Sequence, residues 1–184
     1  MDKKLAEWMR WIRMKVLVVS DSHGDRDILV ELINRYKGKV DAMIHCGDSE
    51  LATTDSVWEE MMSVKGNMDF DEPYLPSRVE EIDGERILWV HGHLHDVKNS
   101  MQTLLTAAKE AQAKLAFFGH THELGVEMVD GIVLLNPGSI LLPRGAYPLK
   151  TYAIVEASKE AVKVTYYDRK NHPIGELEQT FSRI

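Results

Sequence analysis

Apolar runs recur along the first two thirds of the chain, and each ends in a short polar stretch. Five runs are recognised: KVLVVS (15–20), DAMIHC (41–46), SVKGN (63–67), RILWV (86–90) and KLAFF (114–118). Short runs rich in β-branched and aromatic residues predict buried β-strands. The polar stretches that follow are rich in Asp, His and Asn, so they also carry the candidate chemistry.

Helical patterns separate these strands in the first half of the chain. They predict helices over 27–36, 53–62 and 100–113. The last third is mostly strand, with runs at 125–130, 131–136, 151–157 and 161–168 joined by Gly, Pro and Asp turn signals. We therefore expect an α/β fold in which helices cover the sheets and an antiparallel section closes the chain.

The first thirteen residues stand apart from this alternation. Leu5, Trp8, Met9 and Ile12 fall at helical spacing, and a second methionine, Met14, precedes the first strand. Residues 1–13 are interpreted as an N-terminal extension with a helical pattern, and 14–184 as a single domain. The apolar stretch WMRWI (8–12) suggests a contact for self-association into a homo-oligomer.

Composition narrows the partners of the chain. The formal net charge is −7, and no basic stripe is present to bind a nucleic-acid backbone or an anionic membrane. No apolar run reaches the roughly 20 residues of a membrane span, and no signal-peptide pattern opens the chain. The single cysteine, Cys46, fits a reducing compartment, so we expect a cytoplasmic protein.

The polar ends of the five strands supply seven candidate metal ligands. They are Asp21, His23, Asp48, Asn67, His91, His120 and His122. Oxygen and nitrogen donors without a thiolate suit Mn²⁺, Fe²⁺, Zn²⁺, Ni²⁺ or Mg²⁺. Asp21 and His23 are two residues apart, as are His120 and His122. Extended backbone would direct both members of each pair to one side. Seven donors are too many for one ion with an open position, which favours two ions that share a bridging carboxylate.

Each motif taken alone has an ordinary structural interpretation. Asp-x-His is common, Gly-Asp and Gly-Asn are frequent turn dipeptides, and a lone histidine at a strand end is usually only hydrogen-bonded. The order D-x-H, GD, GN-x-D, HGH and GHTH, each following a strand, is much more specific.

The stretches DSHGD, HCGDSE, KGNMDFDE, WVHGH, FFGHTHE and LLNPGS resemble the calcineurin-like metallophosphoesterase superfamily. The similarity runs from Met14 to about Tyr167 and is greatest to the small single-domain phosphodiesterases of the YfcE/YsnB-like group. It implies a four-layered α/β/β/α sandwich with two mixed sheets and a dinuclear site. One ion would take Asp21, His23 and His122, the other would take Asn67, His91 and His120, and Asp48 would bridge them.

The resemblance also implies an activity, the hydrolysis of small phosphodiesters by a hydroxide that bridges two divalent ions, with Mn²⁺ the expected metal. Many members of the superfamily carry a histidine after Gly-Asn, where this chain has Met68. A thioether cannot donate a proton, so the general acid stays open. Two alternatives remain: a phosphomonoesterase or protein phosphatase, and a non-catalytic scaffold like the small subunit of the retromer coat.

Further residues are candidates for substrate contacts. His93 shares the side of His91 and is predicted to act as an acid or as a hydrogen-bond donor to phosphate, with a hydrogen bond behind the ligands or a helix cap as the structural alternative. With Asp48 it forms the predicted catalytic pair, and Asn67 and Asn136 complete the substrate-binding set. Asn136 has a structural alternative, because its NPGS turn could simply support the GHTH loop. Arg144 is a candidate for a phosphate contact, with an ordinary surface arginine as the alternative.

The other polar residues of these motifs are assigned to structure. His45 and Cys46 are expected to be buried, Asp69 to accept hydrogen bonds behind the ligands, and His95 and His172 to face solvent.

Overall fold

Two mixed β-sheets form the centre of the molecule in the computed structural model, which describes residues 12–183. The first sheet has the strand order β11-β10-β9-β1-β2-β3 and the second the order β4-β5-β6-β8-β7. The strands of the first sheet are β1 (Met14–Val19), β2 (Ala42–His45), β3 (Met62–Ser63), β9 (Thr151–Ala157), β10 (Ala161–Asp168) and β11 (Gln179–Ser182). Those of the second are β4 (Ser77–Ile82), β5 (Glu85–Val90), β6 (Leu115–Phe117), β7 (Gly125–Val129) and β8 (Ile132–Asn136).

Three apolar layers hold the sheets and helices together. In β1, Val16 and Val18 face the second sheet, whereas Leu17 and Val19 face the helix α1 (Arg26–Tyr36). The period-two alternation of strand side chains explains why one strand contributes to two cores. On the far side, α2 (Gln102–Glu110) packs on the outer face of the second sheet. The predicted four-layered α/β/β/α sandwich is therefore confirmed.

Parallel pairing places the candidate chemistry at one edge. β1 pairs with β2 in parallel, and β5, β6 and β8 also pair in parallel within the second sheet. The carboxyl ends of parallel strands meet at the same edge, which is where sites form in open α/β sheets. The loops that follow β1, β2, β5 and β6 carry six of the seven predicted ligands.

The structure differs from the predicted elements at four places. The strand predicted over 63–67 is only β3, Met62–Ser63, because the Gly66 amide donates to the Asp69 carboxylate instead of a neighbouring strand. The helix predicted over 53–62 is wrong: this segment contains only a 3₁₀ turn, Ser56–Glu59. Tertiary contacts override its helical pattern, because the amide and hydroxyl of Thr53 both donate to Asp71. The strands β4 and β11 were not predicted, since their half-exposed side chains give no continuous apolar run.

The predicted extension falls mostly outside the described residues. Residues 1–11 lie beyond them, so the helical pattern and the self-association stay predictions. Within residues 12–183, no helix is long and apolar enough to span a membrane.

Candidate metal centre

All seven predicted ligands meet at the carboxyl edge of the two sheets. Donor atoms of Asp21, His23, Asp48 and His122 lie within 4.8 Å of one another. Asp48 joins the remaining three, because its Oδ2 is 3.2 Å from His91 Nε2. The same nitrogen is 3.1 Å from Asn67 Oδ1, and the His91 and His120 ring centroids are 5.1 Å apart. Loops from both sheets therefore contribute to one cluster.

Left-handed backbone brings the paired ligands together, in contrast to the extended backbone assumed from the sequence. φ is 55° at Asp21, 42° at His23, 68° at His120 and 60° at His122. Non-glycine residues adopt this conformation uncommonly, and it is found where the surrounding structure enforces it, often at functional sites. Here the neighbouring loop enforces it, since the amides of Asp21 and His23 donate to the carbonyls of Gly47 and Asp48.

Two glycines allow the loops to approach the carboxylates closely. A Cβ on Gly66 would lie 2.1 Å from Asp48 Oδ1, and one on Gly119 would lie 2.5 Å from Asp21 Oδ2. Neither position has room for a side chain without displacing a predicted ligand. The two glycines thus belong to the site, because only a residue without a side chain fits at either position.

Oxygen acceptors on the side away from the cluster determine which ring nitrogen of three imidazoles carries the proton. Nδ1 of His23 faces the Glu50 carboxylate at 2.6 Å, that of His91 faces the Cys46 carbonyl at 2.7 Å, and that of His122 faces the Leu142 carbonyl at 2.8 Å. An oxygen of this kind only accepts, so each Nδ1 carries the proton and donates. In the neutral rings, each Nε2 then presents a lone pair to the centre of the cluster.

These lone pairs face other acceptors instead of donors. His23 Nε2 and His122 Nε2 are 3.2 Å apart, and His91 Nε2 faces the carboxylate of Asp48. Asp21 Oδ1 is buried without a hydrogen-bond partner in the described part of the chain. Its contacts with His122 Nε2 at 3.1 Å and His23 Nε2 at 3.8 Å lack hydrogen-bond geometry. Buried acceptors that face one another need a cation between them, so the residues fit divalent metal ions.

The pKa values of the two carboxylates and of His120 agree with this chemistry. Burial raises the pKa of Asp21, but the imidazoles of His122 and His91 outweigh it, so the pKa lies below its ordinary value. The pKa of Asp48 is also lowered, since contact with His91 outweighs the effect of burial. Burial and the charges of His91 and Lys98 lower the pKa of His120 to about 4. Ionised carboxylates and a neutral imidazole are the forms that bind metal. Contact with Asp21 raises the pKa of His122, and contact with Asp48 outweighs burial and raises that of His91, so metal binding competes with protonation at these two rings.

Asp69 fixes the two loops that carry Asp48 and Asn67. Its carboxylate is buried and accepts hydrogen bonds from the backbone amides of Asp48, Gly66 and Glu50, at 2.8, 2.7 and 2.8 Å. The hydroxyl of Ser49 donates to it as well, at 3.2 Å. The structure thus gives Asp69 the acceptor role expected from the sequence.

His93 lies beside the cluster without joining the inner set of contacts. Its ring centroid is 5.4 Å from that of His91 and 6.1 Å from that of His120. Burial and the charge of His91 lower the pKa of His93, so the ring is neutral near pH 7. Its Nδ1 is buried and has no hydrogen-bond partner among residues 12–183. This placement is compatible with the predicted contact to substrate.

Asn136 is engaged in supporting its own loops. It is buried, and its Nδ2 donates to the carbonyl of Gly119 and to the hydroxyl of Thr121, at 3.0 and 2.9 Å. Its Oδ1 accepts from the Gly138 amide at 2.9 Å. These contacts favour the structural alternative for the NPGS turn over a substrate contact.

An open cavity of about 410 Å³ lies over the cluster. Besides predicted ligands, it is lined by Arg144 and by four residues that were not assigned a substrate role from the sequence: Glu50, Met68, Lys98 and Leu142. Glu50 and Met68 belong to the stretches HCGDSE and KGNMDFDE, whereas Lys98 and Leu142 lie outside every recognised motif, so only the fold could place those two there. His45 and Cys46 are buried and His172 is exposed, as predicted, whereas His95 is half-buried.

Comparison with known proteins supports this assignment of the cluster. Residues 14–160 match the family model of the calcineurin-like phosphoesterase superfamily domain. The chain is 39% identical over 165 residues to a Bacillus subtilis protein named "Probable metallophosphoesterase YsnB", covering 90% of this chain and 97% of that protein. It is 26% identical over 138 residues to a phosphodiesterase of Methanocaldococcus jannaschii, covering 68% and 83% of the two chains.

A solved structure shows the same fold. A conserved protein from Streptococcus pneumoniae, described as a predicted phosphoesterase, superposes with a TM-score of 0.90 at 40% identity. The superposition covers 92% of this chain and 98% of the other.

Proposed function

Because the chain belongs to the calcineurin-like phosphoesterase superfamily, we propose that it hydrolyses small phosphodiesters with the help of two divalent metal ions. One observation supports this proposal above the others. Three imidazole Nε2 atoms converge on the carboxylates of Asp21 and Asp48, and no donor in the described residues satisfies Asp21 Oδ1. Bound cations would satisfy these buried acceptors, which otherwise face one another.

Seven residues would hold the two ions. Asp21, His23 and His122 form the proposed first set, Asn67, His91 and His120 the second, and Asp48 lies between them. His91 Nε2 is 3.2 Å from Asp48 and 3.9 Å from Asp21, so the two sets adjoin. We propose Mn²⁺ as the metal, and the same donors also accept Ni²⁺, Fe²⁺, Zn²⁺ or Mg²⁺. When bound, a pair of such ions supplies Lewis acidity and an acidified water as the nucleophile.

The residues of the chain orient the substrate and restrain the ligands. Asp48 is held by the loop that carries Asn67, with the Met68 amide donating to Oδ1 at 2.8 Å, which leaves Oδ2 directed at His91. We propose that neutral His93 donates a hydrogen bond to a phosphoryl oxygen from beside the cluster. Asn67 is exposed at the cavity, so we propose that it contacts substrate as well as metal.

Diesters are preferred to monoesters in this proposal. Met68 occupies the position where many superfamily members carry a histidine, and it lines the cavity with a partly exposed thioether. An apolar group at this position offers no hydrogen bond to the additional charge of a monoester and can pack on an ester substituent. The similarity to the M. jannaschii phosphodiesterase points in the same direction.

The test compares bis(p-nitrophenyl) phosphate with p-nitrophenyl phosphate after chelation and after addition of each metal. We expect the diester to be hydrolysed with the higher kcat/KM, no turnover with chelator, and recovery with Mn²⁺. Asp48→Asn should reduce kcat/KM by more than roughly 100-fold, beyond the usual effect of altering a residue behind a metal ligand. His172→Gln, at an exposed histidine, is the matched control.

The two alternatives give other outcomes. Faster hydrolysis of the monoester would indicate a phosphomonoesterase. Full metal occupancy without hydrolysis of either ester would indicate a binding scaffold. The cytoplasmic location and the homo-oligomer proposed from the sequence are tested separately, by cell fractionation and by light scattering of the full chain.

A further inference from the structure

Two basic side chains line the cavity from opposite loops. Lys98 lies between β5 and α2, and Arg144 lies between β8 and β9. The backbone of Arg144 is tied to the cluster, because its amide donates to the carbonyl of His122 at 2.9 Å. Lys98 follows Val97, which is buried against Gly92 in the loop that carries His91 and His93. Both cations are therefore attached to loops that carry the predicted ligands.

Neither cation is neutralised by the protein. Among residues 12–183, no carboxylate forms an ion pair with Lys98 or Arg144. Four other arginines among the described residues form ion pairs, including Arg26 with Asp55 and Arg183 with Glu85. Glu50 also lines the cavity, but its carboxylate is engaged by His23 Nδ1 at 2.6 Å. In a chain with net charge −7, two unpaired cations over one cavity indicate an anionic ligand.

Lys98 and Arg144 reach the cavity from separate loops, one after β5 and the other before β9. A scissile phosphate over the cluster fills only part of the cavity of about 410 Å³ that they line, so a further anionic group has room beside it.

We propose that Lys98 and Arg144 form a second anion-binding subsite beside the metal centre, so that the preferred diester carries another anionic group on its non-leaving side. This inference rests on the proposed phosphodiesterase function and specifies its substrate class. Met68 and Leu142 line the same cavity and are partly exposed, so they provide apolar surface for the carbon skeleton between the two anionic groups.

The experiment uses p-nitrophenyl phosphodiesters that share the leaving group and differ at the end of the other alkyl chain. That end is a carboxylate, a methyl group or a trimethylammonium group. We expect wild-type kcat/KM to be at least about tenfold higher for the carboxylate ester than for the methyl ester, which corresponds to about 1.4 kcal/mol. The trimethylammonium ester should be the poorest substrate.

Variants test whether Lys98 and Arg144 cause the preference for the carboxylate ester over the methyl ester. Lys98→Ala and Arg144→Ala should each lower the ratio of carboxylate to methyl ester, and the double variant should bring it close to one, whereas Arg144→Lys should retain part of it. Lys39→Ala removes an exposed lysine outside the cavity and should leave both rates unchanged. An equal loss for both esters would place the two cations on the scissile phosphate and overturn the proposal.

A binding measurement separates this inference from the proposed function. Non-hydrolysable phosphonate analogues of the carboxylate and methyl esters are titrated into the Mn²⁺-loaded full chain by calorimetry. Tighter binding of the carboxylate analogue that is lost in the double variant supports the subsite even if no ester is hydrolysed. Equal Kd values for the two analogues in the wild type would refute the subsite even if diesters are hydrolysed.

Discussion

The Nε2 atoms of His23 and His122 lie 3.2 Å apart, and the Nδ1 atom of each ring donates to an oxygen acceptor. In the neutral rings, two lone pairs therefore point at each other across a gap that a cation would fill. The unpartnered Oδ1 of Asp21 borders the same gap, with His122 Nε2 at 3.1 Å. Without a cation the arrangement is unfavourable, so metal binding should contribute to the stability of the fold.

Divalent metal should stabilise the chain, and Asp21→Asn should remove most of this effect. At a free Mn²⁺ concentration of 100 times Kd, mass action contributes about 2.7 kcal/mol. For a chain of this size that corresponds to a rise in Tm of roughly 5–10 °C. The measurement is thermal unfolding with chelator and with Mn²⁺. Asp83→Asn, in the turn between β4 and β5, is the matched control and should keep the full rise. An undiminished rise in Asp21→Asn would contradict the proposed ligand set.

Gly66→Ala should disrupt the centre although it adds only a methyl group. The new Cβ would lie 2.1 Å from Asp48 Oδ1 and 2.4 Å from the Asp48 amide nitrogen, so the two loops must separate. We expect a loss of about 1–3 kcal/mol of unfolding free energy. We also expect weaker Mn²⁺ binding, because Asp48 is displaced. Urea unfolding and calorimetric metal titration measure the two effects.

Gly175→Ala is the control for this substitution. A Cβ at Gly175 meets no atom within 4 Å, and φ there is not positive. The unfolding free energy and the Mn²⁺ affinity of this variant should therefore stay close to those of the wild type. If the two variants behaved alike, close packing of the loop on Asp48 would not limit the site.

The convergence of the proposed ligands at one edge could be predicted from the sequence because six of the seven follow strands with clear apolar runs. The residues behind the ligands could not be predicted in the same way. The acceptor for His122 Nδ1 is the carbonyl of Leu142, twenty residues further along, and any residue type supplies a carbonyl. Lys98 lines the cavity through the fold of the loop after β5, and no motif around it in the sequence indicates this position.

Secondary structure was predictable where burial is continuous and unreliable where tertiary contacts decide. β1 and β8 are buried throughout or nearly so, and their apolar runs marked them clearly. β4 alternates exposed and half-buried side chains at the sheet edge, so its sequence SRVEEI carries little apolar signal. The way in which Asp21 and His23 converge could not be predicted from the local sequence either. Their left-handed backbone depends on hydrogen bonds from their amides to the carbonyls of Gly47 and Asp48.

His93→Ala should slow diester hydrolysis without removing metal. The lowered pKa indicates a neutral ring, and because Nδ1 is buried we propose that Nε2 donates the hydrogen bond to phosphate, so we expect a decrease in kcat of about 10²-fold. His93→Gln retains a side-chain N–H and should recover part of the rate. Metal content is measured by atomic emission on the same preparations. A loss of bound metal in His93→Ala would instead make His93 a ligand.

Acid should destabilise the metal-free chain partly through His45. This ring is fully buried, and the Gly47 amide donates to Nδ1 at 3.1 Å, so Nε2 carries the proton and donates to the Ser22 hydroxyl at 2.9 Å. Burial lowers the pKa of His45 to about 4, although the charge of Asp69 partly offsets this effect. The fold thus holds the neutral ring, whereas the unfolded chain takes up a proton below about pH 6.5.

The sign follows from proton binding. Between about pH 6.5 and 4 the unfolded state binds the proton and the folded state does not, so unfolding free energy falls as pH falls through this window. The full contribution is on the order of 3 kcal/mol. Urea unfolding with chelator at several pH values from 7 to 4.5 should show a shallower pH dependence in His45→Gln than in wild type. His172→Gln, at an exposed histidine, should follow the wild-type curve, and identical slopes in all three chains would refute a neutral buried His45.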